Sequence, residues 1–205
     1  MSLPYIHTNS IMVEKLLFVT NNLHKLREVQ EIVGNSFRIL SLKDVSIDED
    51  IPETSETLEG NACQKARFIY ERTGMDCFAD DTGLFIDALE GRPGVFSARY
   101  AGEGCIFEDN IRKVLAELQH TENRNACFRC VVCLILGGTD HLFEGRIDGV
   151  ILKEKHGEGG FGYDPVFVPN GQSQTFSEMP PYLKNGLSHR GRAMWKMMKF
   201  LGTGF

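Results

Sequence analysis

No apolar run in the 205 residues approaches the ~20 that a membrane-spanning helix needs; the longest, residues 131–136, has the length of a strand. Residues 1–9 lack the basic start and apolar centre of a secretion signal, so a soluble, cytoplasmic protein is expected. Internal repeats and low-complexity segments are missing as well. No Gly-x-x-x-x-Gly-Lys-[Ser/Thr] sequence occurs, which excludes a Walker-type phosphate loop. Positive charge is in deficit: 22 Lys and Arg stand against 28 Asp and Glu, a net charge of −6. A broad basic surface for a nucleic-acid backbone is thereby disfavoured, and any bound anion must be small and held in a local pocket. Six cysteines in a chain of this length do not make a disulfide scaffold and read as free thiols.

Cys127, Cys130 and Cys133 are spaced like metal ligands. The residues between them, however, include Phe128, Val131 and Val132, which read as strand, and residues three apart on a strand face opposite ways. The run also lacks the turns that would let thiolates converge. Cys63, Cys77 and Cys105 show no ligand spacing.

At 42% hydrophobic the chain can build one substantial core. Residues 1–14 show no period and read as an N-terminal extension; residues 15–205 read as one bilobed domain. Residues 15–20 form a buried strand, and Leu23, Leu26, Val29, Ile32 and Val33 recur at helical spacing up to Gly34. Further strands are expected over residues 37–42 and in a hairpin of residues 126–136 and 141–151 around Gly137-Gly138-Thr139-Asp140. Helices are expected from about Thr57 to Thr73, over residues 107–120 and over residues 193–201. In the first of these Leu58, Ala62, Ala66 and Ile69 share the apolar side, with Lys65 and Arg67 off it. The class is mixed α/β and not a repeated βαβ array.

Five stretches carry the chemistry. Thr20-Asn21-Asn22-Leu23-His24-Lys25 places a hydroxyl, amides and a lysine at a helix N-terminus, where free N–H groups favour an anion; equally, Asn22 can be a plain N-cap. Pro52 stiffens the backbone before Glu53 inside an acidic loop. In Cys77 to Asp87 an apolar run enters Asp80-Asp81, and Thr82-Gly83 is expected to turn the chain there, aiming one carboxylate into a cleft; a hairpin cap accounts for the same residues. Residues 157–167 set Phe161 among glycines with Gly162, Tyr163 and Asp164 following, either a stacking platform or a turn whose aromatics belong to the core. Finally Ser188 caps a helix whose first turn holds His189 and Arg190, against the helix dipole, so an anion or specific contact must compensate them. Paired carboxylates for a hard cation such as Mg²⁺, cations for phosphates and aromatics for a base together describe a nucleotide hydrolase.

From about Leu16 to Leu201 the sequence resembles the inosine/xanthosine triphosphate pyrophosphatases. The resemblance rests on Thr20-x-Asn22-x-x-Lys25-x-x-Glu28, Glu53, Asn61-Ala62 with Lys65, Ala79 to Leu84, Pro93 to Tyr100, Gly160 to Pro165, and Lys184-Asn185 with Ser188-His189-Arg190. It implies an elongated mixed β-sheet flanked by helices, two lobes with a central active-site cleft, and a homodimer. It also implies hydrolysis of ITP, dITP and XTP to monophosphate and pyrophosphate, which keeps these nucleotides out of DNA and RNA. In that reading Glu53 and Asp81 hold Mg²⁺ and Asp81 activates water. Thr20, Asn22 and Lys25 grip the triphosphate, and Lys65 and Thr82 steady its phosphates. Phe161, Gly162, Tyr163 and Asp164 frame the purine and sugar, while Lys184, His189 and Arg190 contact the base. Asn21 stands where the family generally has glycine, so a left-handed backbone is expected there. A non-catalytic nucleotide-binding domain accounts for the aromatics and the basic cluster but not for the acidic pair. An aspartyl-phosphate phosphatase needs its two aspartates two residues apart, whereas these are adjacent.

Overall fold

The structure, a computed structural model, describes residues 15–36 and 38–202; the expected N-terminal extension and the start of the second strand at residue 37 lie outside them. Seven strands form one mixed sheet. Strands β1 (Lys15–Phe18) and β2 (Arg38–Leu40) are joined through helix α1 (Leu23–Val33), and helix α2 (Leu58–Thr73) leads into β3 (Cys77–Ile86). Both β1–β2 and β1–β3 are parallel, as helical crossovers require. After the short β4 (Pro93–Gly94) and helix α3 (Phe107–Glu117), β5 (Asn125–Leu136) and β6 (Thr139–Ile151) form a long antiparallel hairpin. Its two-residue turn, Gly137-Gly138, has φ of 55° and 83°, the left-handed pair that matches strand twist. Strand β7 (Phe167–Pro169) and helices α4 (Pro181–Leu187) and α5 (His189–Phe200) complete the chain. The sheet order is β2-β1-β3-β5-β6-β7, with β4 set against β3.

Three apolar clusters follow from strand alternation. On one face α1 and α5 cover Leu16, Phe18, Phe78, Cys130 and Val132; on the other α2 covers Leu17, Ala79, Val131 and Cys133. Cys130 therefore faces away from Cys133, as the strand period demands. The far ends of β3, β5 and β6 leave these two clusters and enter a third, where Leu84, Ile86, Phe128 and Ile147 pack with Phe167, Phe176 and α3. The polar residues Asp80 to Gly83 fill the crossing between them.

The expected turn at Thr82-Gly83 does not exist. β3 runs straight through it, with Asp80 opposite Val132, Asp81 opposite Val131, Thr82 opposite Cys130 and Gly83 opposite Arg129. Ten residues of pairing to β5 outweigh the turn preference of four. Gly83 serves close approach instead: a Cβ on it would stand 2.6 Å from the Gly94 carbonyl oxygen of β4. Two further readings change. Lys65 lies on the buried side of α2 with Leu58, Asn61, Ala62, Ala66 and Ile69. Left-handed backbone among the described non-glycine residues falls at Ser46, Glu90 and Cys105, not at Asn21.

Gly83→Ala is expected to lower stability by about 1–3 kcal/mol through this overpacking, read as a shift of the urea midpoint. An unchanged midpoint would mean that β4 does not bear on β3.

Candidate active site

Because β3 continues as a strand, its adjacent carboxylates point to opposite faces of the sheet and meet different partners. Asp80 points toward α1 and α5. Its Oδ1 accepts from Lys25 Nζ at 3.0 Å, and its Oδ2 accepts from Arg190 Nε and Nη2 at 3.1 and 3.0 Å. Burial alone would raise the Asp80 carboxyl, but Lys25 and Arg190 outweigh it and hold the group far below the usual carboxylate range. Arg190 also donates from Nη1 to Glu28 and from Nη2 to Thr82 Oγ1. Glu28 accepts from Lys184, which in turn donates to Asp164. The result is an alternating chain, Lys25–Asp80–Arg190–Glu28–Lys184–Asp164. This is the compensation that His189-Arg190 at a helix N-terminus requires: Ser188 caps Gly191 N–H, and the carboxylates of Asp80 and Glu28 neutralise Arg190.

Asp81 points the other way, toward α2. Its Oδ2 accepts from Asn61 Nδ2 at 3.2 Å, and the Asn61 amide is itself oriented by the Ser55 N–H donating to its Oδ1 at 2.9 Å. Lys65 Nζ lies 3.6 Å from Asp81 Oδ1 and is hydrogen-bonded to Glu53. Arg99 stands 3.9 Å from the other oxygen of Glu53. Burial raises the Asp81 carboxyl above its ordinary value, although Lys65 and Lys25 pull the other way. The two aspartates thus differ in kind: one is saturated by two cations, the other is buried with one amide and a shared ammonium.

The turn before α1 is occupied by its own side chains. Asn22 Oδ1 accepts from His24 and Lys25 N–H, and Thr20 Oγ1 accepts from Asn22 N–H. Asn22 is the N-cap, so the amides expected to greet an anion are largely capped already. Across the cleft, Phe161 stacks on His24 with ring centres 5.2 Å apart, and Phe107 tilts against both. The Phe161 N–H donates to Asp164 Oδ2, which ties the aromatic loop to the charge chain. Tyr163 belongs to the core, its hydroxyl donating to the Ser97 carbonyl. His189 is buried flat on Phe128, ring centres 4.6 Å apart. Burial, with Arg190 and Lys184 nearby, pushes its pKa well below the ordinary value, so the imidazole is neutral. Its Nδ1 is the buried side-chain polar atom without a hydrogen-bond partner among the described residues.

Every residue assigned to the site from the sequence lines one cleft of about 710 Å³: Thr20, Asn22, Lys25, Glu53, Lys65, Asp81, Thr82, Phe161, Gly162, Tyr163, Asp164, Lys184, His189 and Arg190. Illegible in the sequence is how these residues pair. Glu28 and Asn61 stand in the motifs without a role of their own; Glu28 follows Lys25 by one helical step and Asn61 continues the spacing of Leu58 and Ala62, polar residues on a buried stripe. His24 and Arg99, each inside one of the motif stretches, join the cleft wall.

Comparisons with known proteins give the chain a family. The chain matches the Ham1 family over residues 16–200. It is 50% identical over 190 residues to a Porphyromonas gingivalis protein named dITP/XTP pyrophosphatase, covering 92% of this chain and 98% of that one. A Flavobacterium johnsoniae protein of the same name is 47% identical over 91% of this chain and 97% of its own. The structure of a HAM1 protein from Coxiella burnetii superposes with a TM-score of 0.84 at 36% identity, covering 93% of this chain and 99% of that one. With a family match over residues 16–200, which contain every residue lining the cleft, the chain belongs to the Ham1 family.

Proposed function

We propose that this protein hydrolyses the deaminated purine nucleoside triphosphates ITP, dITP and XTP to the nucleoside monophosphate and pyrophosphate. The observation that carries the reading is Asp81, a buried carboxylate raised in pKa and held by Asn61 and Lys65 in a cleft with a neutral histidine whose Nδ1 has no hydrogen-bond partner among the described residues. Relatives named for this activity lend it the substrate.

The donor set suits Mg²⁺. Glu53 and Asp81 offer only oxygen atoms, and both converge on one cation, the Lys65 ammonium. Glu53 and Asp81 would hold the ion, which supplies charge neutralisation at the phosphates. Asp81 receives the proton of the attacking water as its oxygen bonds to phosphorus, while pyrophosphate leaves with the bridging oxygen. Lys65 and Thr82, with Thr20 and Lys25, meet the phosphates; Asn22 shapes that turn as its cap. Phe161, with Gly162 and the buried Tyr163 and Asp164 behind it, offers the purine a face. Arg190 has spent four of its N–H groups on protein partners. Discrimination at the 6-position therefore falls chiefly to His189, whose Nδ1 can donate to a 6-oxo group. Lys184, committed to Glu28 and Asp164, sets the edge of that pocket. A homodimer in the cytoplasm belongs to the same reading.

With Mg²⁺, pyrophosphate is expected from ITP, dITP and XTP, with ATP and GTP turned over poorly. Orthophosphate release, or equal turnover of ATP, overturns the proposal. Asp81→Asn should abolish turnover with the urea midpoint nearly kept.

Asp80→Asn should act on the fold instead. It leaves Arg190 in the interior with Glu28 alone and takes the carboxylate from Lys25, at a cost of about 3–5 kcal/mol, measured by urea unfolding. Because the Asp80 pKa is depressed in the folded state, its contribution is full above the unfolded carboxyl value of about 3.9 and shrinks as pH falls below it. The gap between wild type and Asp80→Asn should therefore be flat from pH 8 to about 5 and narrow only in stronger acid.

His189→Ala is expected to reduce the ITP-to-ATP ratio of kcat/KM by roughly tenfold to a hundredfold, the worth of one buried mismatch of ~1–3 kcal/mol. An unchanged ratio assigns selectivity to other groups.

A further inference from the structure

Away from the cleft, on the α2 face of the sheet, three side chains distant in sequence meet. Cys63 of α2, Cys133 of β5 and Asp140 of β6 each present one ligand atom, and these atoms lie within 4.8 Å of one another. Cys133 is buried, Cys63 half-buried and Asp140 exposed, so the group is reachable from one side. Both cysteines are free thiols. One helical turn beyond Cys63, Arg67 Nη2 binds Asp140 Oδ1 at 2.5 Å. The nearby Cys77 thiol is directed to the Ala66 carbonyl at 3.3 Å and stands outside the group.

We propose that Cys63, Cys133 and Asp140 form a second cation site, for a thiophilic divalent ion of the zinc class, which pins α2 to the β5–β6 hairpin. Two sulfurs and a carboxylate within 4.8 Å of one another are a donor set that favours Zn²⁺ or Cd²⁺ over Mg²⁺, whose preference is for oxygen alone. Three protein ligands leave one tetrahedral position to water on the exposed side. Charge closes as well: two thiolates and a carboxylate are neutralised by the divalent ion together with Arg67. Arg67 takes the part of the outer partner that orients a ligating carboxylate. The consequence reaches the cleft, because Asn61 and Lys65 flank Cys63 on α2 and are the groups that hold Asp81. An ion at Cys63 would fix the helix that positions them.

The test is a Cd²⁺ titration of the reduced, full-length protein, freed of metal by a chelator, in excess Mg²⁺. One equivalent should bind with the ultraviolet band of cadmium–thiolate charge transfer, and Zn²⁺ should displace it. Cys63→Ser and Cys133→Ala should each abolish the band, while Cys105→Ser and Asp81→Asn leave it intact. Arg67→Gln, which removes only the outer partner, should weaken binding by about tenfold to a hundredfold. Zn²⁺ should also raise the melting temperature of the wild type and not that of Cys63→Ser, a half-buried single-atom change. Absence of the band in the wild type, its persistence in Cys63→Ser, its loss in Cys105→Ser, or competition by Mg²⁺ would each overturn the proposal. Pyrophosphate release plays no part in these readouts, so the second site and the proposed activity stand or fall separately.

Discussion

The alternating chain of charges from Lys25 to Asp164 is the constraint on which the rest of the site depends. It takes two residues from α1, one from β3, one each from α4 and α5, and one from the loop that carries Phe161. Buried ions are costly to desolvate, so a chain of this sort is not explained by stability alone; an apolar packing of similar volume would often do as well. What it supplies is position. Each member can be satisfied only if its neighbours on other elements are in place, so the network specifies one mutual arrangement of elements around the cleft. His189 gains its setting as a by-product, being the neighbour of Arg190 at the start of α5.

Strand parity does the second piece of work. Had β3 turned at Thr82-Gly83, both aspartates could have entered the cleft as a like-charged pair, and one would have had to take up a proton. Continuous pairing to β5 sends Asp80 to the α1 and α5 side and Asp81 to the α2 side. The separation lets one carboxylate be strongly acidic and structural while the other is raised in pKa. Two adjacent residues of identical chemistry acquire opposite properties from the period of a strand.

The same contrast shows what a sequence can disclose. Elements with sustained periodicity, α1, α2, α3 and the β5–β6 hairpin, were legible to within a few residues because burial imposes the period directly. Motif residues were legible as members of one site, and all of them line one cleft. Illegible was everything decided by long-range pairing. Asp-Asp-Thr-Gly has the composition of a turn, and only its register with β5, some fifty residues later, makes it strand. Lys65 carries a charge and was set aside from the apolar stripe, yet Asp81 and Glu53 draw it inward. Asn22, which reads equally as anion donor or cap, is resolved by its bonds to His24 and Lys25. Cys63 and Cys133 sit seventy positions apart, and no spacing rule connects them. Helix α4 is too short to show a period and went unread.

The cleft is also balanced without a substrate. Lys25, Lys65, Arg99, Lys184 and Arg190 are each engaged by Glu28, Glu53, Asp80, Asp81 or Asp164, five cations against five anions. Among the described residues of the cleft, then, no lysine or arginine is idle, and a bound anion would have to redistribute charge already committed. Redistribution is uneven in cost. Arg190, buried and bound to two carboxylates, has little reason to move, whereas among the described residues Lys65 is paired with Glu53 and Asp81 and Lys25 with Asp80 alone. The lysines are single charges on flexible stems and can exchange one anion for another; the guanidinium is a rigid fork that loses several bonds at once. The division of labour follows from that asymmetry: arginine holds the architecture, and the lysines at the α1 and α2 sides of β3 are the charges least costly to redistribute.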